Sequence, residues 1–143
     1  MFARFETLRQ TDTFYPCPKG RLKLREFGSG PAQLIGYDRP DAAGPKESAY
    51  TISSVPDPEA MDAILARAFG RGKVVKKTRL AFLAEGVRVH FDEVKGLGRF
   101  IEIEVILSAE RDESFGRAEA RRLMEALVIG ESDLIDRAYA DLV

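Results

Sequence analysis

The 143-residue chain has no tryptophan, one cysteine and one histidine. A single thiol, Cys17, excludes an internal disulfide and suits a reducing cytoplasm. Lying between Pro16 and Pro18, it reads as an incidental loop thiol. No apolar run approaches the roughly 18 residues that a membrane span needs, so no membrane is expected. The opening MFARFETLRQ lacks the apolar stretch of a secretory signal. There is also no surplus of either charge. With 22 basic and 23 acidic residues and a net charge of -1, a nucleic-acid partner is not expected. Repeats, low-complexity tracts and linkers are missing too, so residues 1–143 read as one domain. A chain of this length buries roughly 70% of its unfolded surface. With 45% hydrophobic and 31% charged residues, its class is soluble and globular.

What is present is a series of short strands around one helix, followed by more helix. Strands are expected at Phe2–Phe14, Arg21–Phe27, Gln33–Arg39 and Ser48–Val55, with a loop over Pro40–Lys46. Asp57 then caps a helix with Pro58 at its first position. Met61, Ile64, Leu65, Ala68 and Phe69 recur at helical spacing, and Gly70 can end it. Strands resume at Lys73–Ala84, Val87–Val94 and Phe100–Leu107, with Gly96 and Gly98 forming a hairpin turn. Glu113–Val128 is a charged amphipathic helix ended by Gly130, and Ser132 can cap a short last helix. The expected fold is α+β: an antiparallel sheet or barrel with helices packed outside.

Successive strand residues point to opposite faces. Arg21, Lys23 and Arg25 therefore share a face opposite Leu22 and Leu24. Lys77 and Arg79 share another. Arg88, His90 and Asp92 oppose Val87, Val89 and Phe91, and Glu102 and Glu104 oppose Ile101, Ile103 and Val105. On any single strand this is the solvated face of an ordinary sandwich. On four strands together it suggests a polar lumen with apolar sides turned outward beneath helices. Guanidinium groups grip phosphate oxygens in pairs and ammonium groups add point charge. Carboxylates in the same lumen cannot hold phosphate, but they can hold Mg²⁺ or Mn²⁺. His90 has no Cys or His partner and reads as a positioning residue. Ser48 and Ser54 lack any Ser–His–Asp arrangement. Arg117, Arg121 and Arg122 alternate with Glu119 and Glu125 as a solvated helix face.

In order, the runs QTDTFY, GRLKLRE, YDRPD, PDPEA, KKTR, RVHFDEVKGLG and FIEIEV resemble the class IV adenylyl cyclase branch of the CYTH superfamily, the triphosphate tunnel enzymes. The likeness extends from about Arg9 to Leu107, with an echo at Tyr139, Asp141 and Leu142. It implies an antiparallel barrel forming a tunnel for ATP, another nucleoside triphosphate or inorganic polyphosphate. It also implies Mg²⁺ or Mn²⁺, and lyase chemistry giving cyclic AMP and pyrophosphate. The alternatives within the family are tripolyphosphatase or nucleoside triphosphatase activity, and a catalytically impaired triphosphate-binding module. Matched by motif, Lys23, Arg25, Arg39, Lys77, Arg79 and Arg88 would bind triphosphate. Asp92 would be catalytic, and Glu102 and Glu104 would hold metal. Arg21, at the strand mouth, is expected to be solvated. The Glu-x-Glu-x-Lys strand that marks the family's N-terminus has no counterpart here, so the resemblance implies a truncated barrel. A barrel short of a strand exposes an edge, and a homodimer is the expected remedy, with Phe2–Phe14 the expected contact.

Overall fold

The computed structural model describes residues 4–38, 49–84, 86–135 and 139–142. Seven strands form one sheet: β1 (Arg4–Tyr15), β2 (Arg21–Phe27), β3 (Ala32–Tyr37), β4 (Tyr50–Val55), β5 (Val74–Ala84), β6 (Val87–Val94) and β7 (Gly98–Val105). Their order is β4-β3-β2-β1-β5-β6-β7, and every neighbouring pair is antiparallel. The expected strands are therefore present. Residues 39–48, including Arg39 and the whole Pro40–Lys46 loop, lie outside the described residues.

The sheet curls but does not close. Among the described residues no strand ladder joins β4 to β7, so the expected barrel is corrected to an open sheet. Its two edges nonetheless meet through side chains: the Tyr50 hydroxyl on β4 donates to Glu104 Oε1 on β7 at 3.1 Å. That contact spans the concave face and makes it a lumen. The expectation that β1 supplies an exposed edge is also corrected. β1 lies in the middle of the sheet, between β2 and β5, and the edges are β4 and β7. The order follows from the long pairing of β1 with β5, from Arg4↔Leu83 to Thr13↔Val74, which local periodicity does not reveal.

Helix α1 (Pro58–Phe69) begins where the sequence places it. Asp57 accepts a hydrogen bond from the Ala60 N–H at 3.1 Å, and Gly70 ends the helix. Its Leu65 packs with Tyr15, Leu24, Ala32 and Val55 on the convex face of β1–β4. Helix α2 (Glu113–Ala126) is capped by Asp112 and covers the other half of that face, where Leu123 meets Val87 and Val89. Helix α3 (Tyr139–Leu142) departs from the expectation that all helices lie outside. Ala140 and Tyr139 pack with Val75, Val94, Phe14 and Phe100, on the same sheet face as Asp12, Lys77 and Asp92. Ser132 lies within a single 3-10 turn, Glu131–Asp133, and does not cap this helix.

The end of α2 also differs from its expected form. The residue that turns left-handed is Val128, with φ 57°, ahead of Gly130. Its side chain is 88% exposed, so no packing compensates the clash of a β-branched residue there. Val128→Gly is expected to stabilise the fold by roughly 1 kcal/mol, the steric gain being larger than the added chain entropy of the unfolded state. Urea unfolding of both proteins measures this, and a midpoint that does not rise refutes it.

Candidate functional site

Both faces of the sheet carry buried residues, and on the concave face these include charges. The charged residues Asp12, Lys77, Arg79 and Asp92 are only 1%, 6%, 6% and 2% exposed, whereas Leu80 and Ile101 on the convex face are 37% and 44% exposed. Buried charges persist only when paired. Here the pairing is supplied across strands, because residues of like face on neighbouring strands stand side by side.

At the floor of the lumen is Asp12, on β1 between β2 and β5. Arg25 grips it with two bonds of 2.8 Å. Lys23 Nζ and Lys77 Nζ reach its Oδ2 at 3.1 and 3.0 Å. Burial pushes the Asp12 carboxyl up, but the Arg25 hydrogen bond and the Lys23 and Lys77 charges outweigh it and hold the group well below the usual carboxylate range. The cations show the converse. Burial first, then the charges of Arg25 and Lys77, push Lys23 down to about 8 despite Asp12. Lys77 is likewise lowered, by burial and then by Arg25 and Arg79. Three cations for one carboxylate leave a local positive surplus in a desolvated space. Aromatic faces border it: Lys23 lies 5.2 Å from the Tyr37 ring centroid and Lys77 5.7 Å from that of Tyr139.

The wall formed by β6 and β7 has the opposite balance. Arg79 forms two bonds of 2.7 Å with Asp92, which also accepts from the Tyr139 hydroxyl at 2.9 Å. Burial opposes the charge on Arg79, but Asp92 and Glu102 raise its pKa above the ordinary arginine value. Glu102 lies 3.3 Å from His90 Nδ1 and 3.8 Å from Arg79. Arg88 donates to Glu104 at 3.0 Å. Three carboxylates, Asp92, Glu102 and Glu104, thus face two guanidinium groups. The lumen is polarised, positive at its floor and acidic along β7.

Most of the residues expected from the sequence therefore converge. Lys23, Arg25 and Lys77 share Asp12; Arg79 and Asp92 form one pair, and Arg88 and Glu104 another. Asp12 itself is a lumen residue that strand alternation missed, since the run QTDTFY is polar on both faces until Phe14. Its i, i+2 neighbour Gln10 was a possible signal, being the lumen residue two positions earlier. Gln10 is buried, and its Oε1 has no hydrogen-bond partner among the described residues. Arg21 is not simply solvated: it forms a two-bond pair with Asp141 of α3, at 3.2 and 2.7 Å. Among the described residues, no three Asp, Glu, His or Cys side chains come together as a ready chelate.

The fold is thus a curled antiparallel sheet whose concave face gathers cations around a buried carboxylate. The chain belongs to the CYTH family, whose domain matches residues 2–139. No curated protein matches it. Among solved structures it is similar to the PH1012 protein of Pyrococcus horikoshii, with a TM-score of 0.87 and 23% identity over 98% of this chain and 85% of that one. A conserved hypothetical protein of Pyrococcus furiosus gives 0.84 and 22%, over 99% and 85%. A Vibrio parahaemolyticus protein described as a putative adenylate cyclase gives 0.71 and 22%, over 99% and 83%. At these identities the likeness is one of fold. No helix among the described residues is long and apolar enough to cross a membrane.

Asp12→Asn keeps the shape but leaves three buried cations without their anion. We expect a loss of about 3–5 kcal/mol at pH 7, measured by urea unfolding. The native-state pKa of Asp12 lies below its unfolded value near 3.9. The stability it contributes is therefore complete above about pH 5 and is lost as the pH falls toward the native value. The gap between wild type and variant should narrow in acid; a gap independent of pH would show that the carboxylate charge is not what Asp12 contributes.

Proposed function

We propose that the lumen binds a nucleoside triphosphate, ATP, with a divalent metal ion, and that the reaction is conversion to cyclic AMP and pyrophosphate. The observation that carries the reading is the surplus of cations at Asp12. Lys23, Arg25 and Lys77 are already desolvated and held in place. A polyphosphate entering there gains charge-assisted hydrogen bonds with little reordering of the protein. The fold is shared with a Vibrio protein described as a putative adenylate cyclase, and the cyclase reading follows that likeness.

In this reading Lys23, Arg25, Lys77, Arg79 and Arg88 hold phosphate oxygens and neutralise charge that develops on the leaving pyrophosphate. Asp92 has both oxygens engaged, so its part is to fix the Arg79 guanidinium. Glu102 and Glu104 share the lumen face of β7. They fit as carboxylate anchors for Mg²⁺ or Mn²⁺ provided phosphate oxygens complete the set, the usual arrangement for Mg²⁺. Bound there, the ion would supply further neutralising charge at the phosphate. The lone thiol, Cys17, suits a cytoplasmic location. We also propose that two copies associate through the edge strands β4 and β7, whose outer backbone groups face no strand among the described residues. Light scattering at micromolar concentration should give a dimer mass; a monomer mass rejects the association.

Incubation with ATP and Mn²⁺ should yield cyclic AMP and pyrophosphate. ADP or AMP with phosphate would replace the cyclase reading with hydrolysis, and no turnover would leave a binding module. Binding is tested separately. Arg25→Gln removes one of three cations from Asp12, which leaves the carboxylate paired and the fold intact. It should weaken tripolyphosphate binding by about 1.5–3 kcal/mol, roughly tenfold or more. Arg121→Ala, on the exposed face of α2, should change it little. Equal effects of the two variants in a calorimetric titration at moderate salt would remove the lumen as the phosphate site.

A further inference from the structure

One wall of the lumen carries no charge. β3 and β4 pair so that Gln33 faces Ser54, Ile35 faces Ile52 and Tyr37 faces Tyr50. Each of these pairs joins like to like: polar, aliphatic and aromatic. All lie on one sheet face, because they are spaced by two along both strands. It is the lumen face, since Tyr37 lies against Lys23 and Tyr50 reaches Glu104. The opposite face of the same strands, with Ala32 and Val55, is the one buried under α1.

This wall is continuous with the phosphate cluster. Lys23 Nζ sits 5.2 Å from the Tyr37 centroid and 3.1 Å from Asp12. Ile52 is 46% exposed and Tyr50 43%, so the β4 half of the ladder is open, while Ile35 beside it is buried at 5% and backs it. An inorganic anion gains nothing from such a surface. A flat, weakly polar ring gains from it twice: apolar area is removed from water, and a π face meets tyrosine edges and aliphatic side chains. Gln33 and Ser54, at the far end, offer an amide and a hydroxyl to hydrogen-bond a ring edge.

We propose that the β3–β4 ladder is the nucleobase subsite of the lumen, so that this chain takes a nucleoside triphosphate in preference to bare polyphosphate. The inference rests on the reading of the Asp12 cluster as the phosphate site. Tyr37 marks the join between the two parts, Ile52 and Tyr50 form the platform over the buried Ile35, and Gln33 and Ser54 read the edge.

The test compares ATP with tripolyphosphate, both without metal, on the full chain by calorimetry. Charge alone favours tripolyphosphate, the more compact anion. The proposal expects ATP to bind at least fivefold more tightly. Ile52→Asp, at an exposed position, should weaken ATP at least tenfold and tripolyphosphate less than threefold. Ile52→Ser should show the same split at smaller size, which separates loss of the platform from charge repulsion. Tripolyphosphate binding equal to or tighter than ATP in the wild type overturns the subsite while leaving the phosphate reading in place. So does an equal effect of Ile52→Asp on both ligands. If the Ile52 variants instead change the mass by light scattering and leave the ATP preference alone, the ladder is a contact between copies and the proposal fails. Failure of both ligands to bind wild type overturns the phosphate reading and this one with it.

Discussion

Asp12 is the carboxylate around which the lumen is organised. Lys23 and Arg25 come to it from β2 and Lys77 from β5. Those two strands flank β1, so the central strand of the sheet is also the one that carries the counter-charge. Without an anion there, the three cations would repel one another in a space too dry to screen them. The strands could still pair through their backbones, but the lumen face could not hold its present composition.

Such a face is not the most stable one a sheet of this size could have. Buried ion pairs often lose to well-packed apolar residues, because desolvation offsets much of the attraction. Two of the three apolar clusters lie elsewhere, under α1 and α2 on the convex side, and the third packs α3 against the end of the lumen face. The larger share of the apolar packing thus lies on one face of the sheet and the charged residues on the other. At the α3 end, Tyr139 bridges the two interests: its ring packs with Phe100, while its hydroxyl holds Asp92.

The division was legible in the sequence where a strand alternates cleanly. GRLKLRE and RVHFDEV show charged and apolar residues in strict turn, so Lys23, Arg25, Arg88 and Asp92 could be assigned to one face, and Asp57–Pro58 marked the start of α1. Four features were not legible. Asp12 lies in a run with no apolar partner phase, and its cations are distant in sequence. The order of strands depends on the β1–β5 pairing, so the edges and the open form of the sheet were beyond local patterns. The position of α3 depends on Asp141 finding Arg21 and Tyr139 finding Asp92, contacts that link the far end of the chain to two different strands. Gln33, Ile35, Ile52 and Ser54 carry no charge, so a reading guided by charge passed over them.

The absence of tryptophan has a practical consequence once the tyrosines are placed. The chain has four tyrosines, and Tyr37, Tyr50 and Tyr139 each touch a charged lumen residue: Lys23, Glu104 and Asp92 respectively. Tyr15 alone sits away from the lumen, on Asp62 of α1. Ultraviolet emission from this protein is therefore tyrosine emission, and three of its four emitters stand beside the lumen. Phenol fluorescence is quenched by nearby carboxylates and altered by a stacked ring. Occupancy of the lumen is thus written into the intrinsic optical signal of the unlabelled chain.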